Sequence, residues 1–129
     1  MFYIDTSAAL KFVLEEPEST ELIRWMRAHS DAVISSDLLR TELLRATKRE
    51  APELMGRARV IIESIFLLRL PPSTFERSAE IGPDLLRSLD AIHLAAALEL
   101  GDELDGFITY DDRQAAAANL LGFAVLSPR

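Results

Sequence analysis

The chain has 129 residues, 49% of them hydrophobic, and a formal charge of -7. One compact domain spanning residues 1–129 is therefore expected, large enough to bury roughly two thirds of its unfolded surface. The lack of cysteine excludes disulfides, thiolate metal sites and cysteine nucleophiles, and the acidic balance excludes a nonspecific nucleic-acid binder working through a basic surface.

The predicted elements alternate. Phe2-Tyr3-Ile4 reads as a short buried strand running into Asp5-Thr6-Ser7, followed by a helix from about Ser7 to Val13. Pro17 opens a second helix that ends near Ser30, with Leu22, Ile23, Trp25 and Met26 as its apolar stripe. Ala32–Ser35 is a second strand, and Ser36 or Asp37 caps a helix from Leu38 to Glu50. Pro52 suits the first turn of the next helix. A third strand at Phe66–Leu70 stops at Pro71-Pro72, a helix runs from Ser73 to Ile81, and Gly82-Pro83 breaks it. Then come a helix from Ser88 to Leu100 closed by Gly101, a strand at Gly106–Thr109, a helix from Asp112 to Asn119 and a last strand at Phe123–Leu126. Such alternation means an α/β fold with a parallel sheet covered by helices on both faces. Trp25, Met26 and the phenylalanines fall on apolar stripes and are expected in the core.

Four acids stand where regular elements start, end or turn apolar: Asp5, Glu42, Asp90 and Asp111. Asp5 and Asp111 follow strands, and acids at the carboxyl ends of parallel strands face the crevice where connections reverse. Taken singly, each has a plainer explanation. Asp5 and Asp111 are turn and capping residues. Glu42 is a rim glutamate paired with Arg45. Asp90 opens the apolar run Ala91–Leu98, where it is explained either as a cap on free backbone N–H groups or as the ligand of a cation. Taken together they make one site if the first and fourth strands are neighbours. Two such charges about 6 Å apart repel by roughly 3 kcal/mol at an effective dielectric of 20, so the cluster calls for a cation. Oxygen-only donors select hard ions, Mg²⁺ or Mn²⁺, and point to phosphoryl chemistry.

The runs Tyr3-Ile4-Asp5-Thr6-Ser7-Ala8, Ser35-Ser36 with Leu39 and Glu42-Leu43, Leu86-Arg87-Ser88-Leu89-Asp90-Ala91-Ile92-His93-Leu94-Ala95 and Phe107-Ile108-Thr109-Tyr110-Asp111 resemble PIN-domain ribonucleases, in particular toxins of the VapC type. The resemblance spans the chain. It implies a five-stranded parallel sheet between helices and an endoribonuclease that uses Mg²⁺, with Mn²⁺ as substitute. It also implies metal ligation by Asp5, Asp90 and Asp111, with Glu42 acting through water. Cleavage is expected to leave a 5′-phosphate and a 3′-hydroxyl. A cognate antitoxin, a homodimer and a cytoplasmic location without membrane attachment are expected as well; no apolar run reaches transmembrane length, and Met1–Asp5 lacks the basic start of a signal peptide.

Arg45 and Arg49 follow Glu42 by three and seven residues on one helix face, and Arg113 lies just beyond Asp111; singly each is explained as part of a solvated charged face, and together these three are the candidate RNA-phosphate contacts. His93 is expected as a buried, hydrogen-bonded histidine, Thr6 and Ser7 as caps, and Asp112 as a capping or spare acid. Two other functions stay open on the residues alone. One is an aspartyl-phosphate phosphatase, which commonly needs a second acid two residues after the first, where this chain has Ser7. The other is a non-catalytic, metal-stabilised interaction domain.

Overall fold

A computed structural model describes residues 1–129. Five short strands, β1 (Phe2–Ile4), β2 (Val33–Ser36), β3 (Phe66–Leu68), β4 (Gly106–Ile108) and β5 (Val125–Leu126), form one parallel sheet in the order β3-β2-β1-β4-β5. The helices between them are α1 (Thr6–Val13), α2 (Ser19–His29), α3 (Leu38–Glu50), α4 (Met55–Ser64), α5 (Pro72–Ser78), α6 (Ser88–Leu98) and α7 (Asp112–Leu120). The α/β class and the strand count agree with the expectation from sequence.

The strands alternate sides, but both sides are dry. Ile4, Val33 and Ile108 join a core with Ala8, Phe12, Leu22, Leu39, Leu43 and Ile62, while Tyr3, Ile34 and Phe107 join a second one with Leu94, Ala97, Ala117 and Ala118. Burial on both faces is why these strands are continuous apolar runs without a polar partner at every second residue. The chain fills one side of β1 with β2 and β3, then crosses to the other side for β4 and β5. Connections thus reverse between β1 and β4, and a crevice opens at their carboxyl ends. Ile4 pairs with Ile108 there, and the Asp5 N–H donates to the Ile108 carbonyl at 3.2 Å.

Several boundaries differ from the sequence-based expectation, each for a local reason. Helix α2 begins at Ser19, not Pro17, because Ser19 Oγ accepts from the Glu16 N–H and donates to the Leu14 carbonyl, holding the intervening residues in a turn. Pro52 belongs to a 3₁₀ turn, Pro52–Leu54, ahead of α4. Strand β3 stops at Leu68, since it is an edge strand that pairs with β2 only over Phe66–Leu68. Helix α5 ends at Ser78, where the Ala79 and Glu80 N–H groups turn back to Glu76 and Arg77. Helix α6 ends at Leu98, the N–H groups of Glu99 and Leu100 turning back to Ala96 and Ala97, and Gly101 takes the left-handed conformation at φ 53°. Phe123 belongs to the close of α7 through its N–H bond to Ala118, leaving only Val125–Leu126 as strand. Phe66 and Phe75 are 67% and 48% exposed, so these two phenylalanines are not core; they lie on the edge strand and on the short α5, where little covers them.

Leu94 is fully buried on α6, the helix that carries Asp90 and His93. Leu94→Ala should cost about 2–5 kcal/mol of folding free energy, read as a lowered denaturant midpoint with little change in slope.

Candidate active site

Asp5 ends β1 at the sheet's reversal point with only 4% of its surface exposed. Its Oδ1 accepts from Ser7 Oγ at 2.6 Å and from the Ala8 N–H at 3.1 Å, and its Oδ2 accepts from Thr109 Oγ1 at 2.5 Å. Asp5 therefore caps α1 and ties β1 to the residue after β4. Burial pushes its carboxyl above the usual aspartate range, against the His93 charge and the bonds from Ser7, Thr109 and Ala8. Three donors leave a carboxylate room for one further contact.

Glu42 reaches the site from the middle of α3. The expected Arg45 partner is not the one it takes. Its Oε1 accepts from Thr6 Oγ1 at 2.7 Å and lies 2.5 Å from His93 Nε2. Burial raises this carboxyl, but the hydrogen bond and charge of His93, the Thr6 bond and Arg87 outweigh it and leave Glu42 below its usual range. His93 is 1% exposed and hydrogen-bonded at both ring nitrogens, the buried histidine anticipated.

Asp90 sits in the first turn of α6, and its side chain caps nothing; Arg87 holds the N-cap position. Instead, Arg87 Nε lies 3.4 Å from the Asp90 carboxylate, and the same guanidinium lies 3.8 Å from Asp111. Burial raises the Asp90 carboxyl, the charges of Asp111 and Glu42 add to the rise, and Arg87 and His93 oppose it. Asp111 caps α7 by accepting from the Gln114 N–H at 2.9 Å, leaving Asp112 as an exposed first-turn acid. The Gln114 side chain in turn donates to the Asp90 carbonyl at 3.0 Å, so one buried glutamine holds the starts of α6 and α7 together.

The donor chemistry fits a hard divalent ion. All four acids offer oxygen, and mutual repulsion at Asp90 is the burden a cation relieves. No three acids or imidazoles form a ready ligand set, and Arg87 lies against Asp90 and Asp111 as their present counter-charge. Sequence reasoning passed over Arg87, although it stands three residues before Asp90, the spacing at which helical side chains meet. Thr6 and Ser7 are not the caps expected from sequence, because Asp5 caps α1 and their hydroxyls donate to Glu42 and Asp5; Ser7 Oγ also accepts from the Tyr110 N–H, and Thr109 Oγ1 accepts from the Asp111 N–H.

Of the predicted phosphate contacts, Arg113 joins Arg87, Asp90, Leu86 and Leu120 in lining a cavity of about 560 Å³ beside the acids. Arg45 and Arg49 are exposed along α3, and Arg49 lies 3.3 Å from Glu50.

Residues 2–120 match the family model described as PIN domain. Among curated proteins, the chain is 42% identical to Ribonuclease VapC47 of Mycobacterium tuberculosis, the match covering 99% of this chain and 97% of that protein. It is 40% identical to Ribonuclease VapC46 of the same species, with 98% and 96% covered. Among solved structures, it resembles the M. tuberculosis protein VapC20, described as a sarcin-ricin loop cleaving toxin, with a TM-score of 0.81 at 15% identity over 99% of this chain and all of that one.

The raised Asp90 carboxyl favours the fold in its protonated form. That contribution is complete below the ordinary aspartate range and is lost as pH rises through the raised value, so at neutral pH the ionised group burdens the fold. Glu42 works in the opposite sense, adding stability above the ordinary glutamate range that is lost as pH falls through its lowered value. In chelator at neutral pH, Asp90→Asn should melt higher than the unaltered protein by about 2 °C or more, and saturating Mg²⁺ should stabilise the variant less. A lower-melting variant in calorimetry would refute this account of Asp90.

Proposed function

The chain belongs to the PIN-domain family, and from that premise we infer that it is a VapC-type endoribonuclease, the toxin of a toxin–antitoxin pair, hydrolysing phosphodiester bonds in RNA with a divalent metal ion. What supports this reading is that Asp5 and Asp111 follow the neighbouring strands β1 and β4 while Asp90 lies within electrostatic reach of Asp111 and Glu42, together with relatives named as ribonucleases along nearly their full length.

Asp5, Asp90 and Asp111 would hold Mg²⁺, with Mn²⁺ as substitute. When bound, such an ion supplies Lewis acidity toward a phosphoryl oxygen and neutralises developing charge. Glu42, its carboxyl held below the usual glutamate range, orients the attacking water and takes up its proton. Water oxygen bonds to phosphorus as the bond to the 3′ oxygen breaks, the released 3′ oxygen takes a proton from solvent, and the products are a 5′-phosphate and a 3′-hydroxyl. Arg113 at the cavity, with Arg45 and Arg49 along α3, offers local positive charge to a polyanion on a protein of net charge -7. The phosphatase alternative suffers at its nucleophile, because the Asp5 carboxylate is buried with both oxygens already accepting hydrogen bonds.

A cognate antitoxin completes the pair, laying an apolar segment in a groove lined by helices near β1 and reaching with a basic side chain toward Asp5 or Asp90. The toxin acts as a homodimer in the cytoplasm; no helix is long and apolar enough to cross a membrane.

Purified protein free of its partner, given structured RNA and Mg²⁺, should produce fragments with the ends just described. Asp5→Asn and Asp111→Asn, each assayed as folded protein, should slow cleavage by roughly a hundredfold or more. Unaltered cleavage by either variant, with contaminating nucleases excluded, would remove that acid from the site.

The three arginines are tested separately. Alanine at Arg45, Arg49 or Arg113 should weaken RNA binding and flatten the logarithmic salt slope by about one unit each, sparing metal affinity. Unaltered slopes in all three would move the RNA path elsewhere.

A further inference from the structure

A buried polar chain runs from the centre of the sheet to the candidate site and has no part in the catalytic scheme above. Tyr3, fully buried on β1, stacks its ring on Phe107 of β4 with centroids 5.4 Å apart and planes inclined by 7°. Its hydroxyl lies 3.0 Å from Ser36 Oγ and 2.8 Å from His93 Nδ1. The opposite ring nitrogen, Nε2, lies 2.5 Å from Glu42 Oε1 and 3.2 Å from Thr6 Oγ1. The imidazole is therefore held between a phenol anchored in the sheet and a carboxylate on α3.

An ionised carboxylate offers only acceptors, so the short contact with Glu42 requires the proton on His93 Nε2. In the neutral ring, Nδ1 accepts the single Tyr3 hydroxyl proton and Ser36 turns to donate to Tyr3; in the imidazolium, Nδ1 donates to Tyr3, whose proton goes to Ser36. Either way Tyr3 sets the ring plane, and the ring plane sets where Glu42 points. A glutamate side chain in a half-open crevice otherwise samples several rotamers, and a group that must orient water loses rate with each misplaced one. The competing contact at Nε2 is Thr6 Oγ1, which is longer at 3.2 Å and itself donates to Glu42.

We propose that His93, fixed by Tyr3, is a positioning residue that locks the Glu42 carboxylate toward the reacting phosphodiester by donating its Nε2 proton. The proposal rests on the nuclease reading for its consequence in catalysis, but the pairing itself is a property of the folded chain.

Two measurements decide it. The chain has two histidines, so long-range 1H–15N correlation spectra need only a His29→Gln control for assignment. His93 should report a protonated Nε2 whose signal moves strongly in Glu42→Gln and detectably in Tyr3→Phe. An unprotonated Nε2 overturns the proposal, whether or not the protein cuts RNA. In the second measurement, His93→Leu should lower kcat by roughly tenfold to a hundredfold with KM and metal affinity unchanged, while His93→Gln, whose amide can donate from nearly the same place, should recover most of the loss. Should His93→Leu fail to fold, Tyr3→Phe takes its place: the ring stays stacked on Phe107, and a kcat reduced severalfold at constant KM supports the relay. A folded His93→Leu, or failing that a folded Tyr3→Phe, with unaltered kcat overturns it. If the unaltered protein cleaves no RNA with any divalent ion, the nuclease reading falls, and the spectra alone decide the Glu42 pairing.

Discussion

The rest of the structure is organised around a carboxylate buried at the middle of a sheet. Asp5 follows the central strand, is almost wholly removed from water, and is kept there by Ser7, Ala8 and Thr109. A charge in such a place is expensive unless its lone pairs are taken up. The donors that take them up come from α1 and from the end of β4, so satisfying this acid also fixes how the first helix leaves the sheet and how β1 and β4 meet. Ser7 and Thr109 extend the lattice to the Tyr110 and Asp111 N–H groups, which carries the constraint to the start of α7. The acidic site is thus part of the architecture at the reversal point.

Around that point the fold divides its labour between two dry faces. One face of the sheet packs against α1, α3 and α4, the other against α6 and α7, and the acids arrive from both. Glu42 comes from α3 and Asp90 from α6, and His93 is the group that joins them, lying on the helix of one acid and bonded to the other. Gln114 plays a similar part between α6 and α7. His93 is bonded at both ring nitrogens, whereas Gln114 spends its amide N–H on the Asp90 carbonyl and leaves its buried Oε1 without a partner, a cost the junction carries. Precision at the site therefore comes from the core side, while the solvent side is left to arginines.

Arg87 shows how the site balances its own charge. It contacts Asp90 and Asp111, yet most of its side chain is exposed, and exposed pairs of this kind are worth little. A weakly held cationic side chain lowers the repulsion between two acids while remaining easy to displace by a doubly charged ion that binds both. The same arginine borders the cavity that Arg113 also lines.

Much of this was legible in the amino-acid order. The apolar runs ending in acid, the alternation of strands and helices and the nearly all-apolar helix after Asp90 depend on local periodicity and on residue type, and both survive folding unchanged. The sequence by itself determined the fold class and the parallel sheet, and it singled out four acids as candidates. Only the tertiary structure decided that Glu42 pairs with His93 and Thr6 in place of Arg45, that Arg87 stands between Asp90 and Asp111, and that the hydroxyls of Ser7 and Thr109 serve Asp5. The reason is physical: hydrogen bonds and charge pairs reach only a few ångströms, and which groups come that close across 36, 51 or 104 residues of chain is set by strand order and helix packing, to which no local pattern refers.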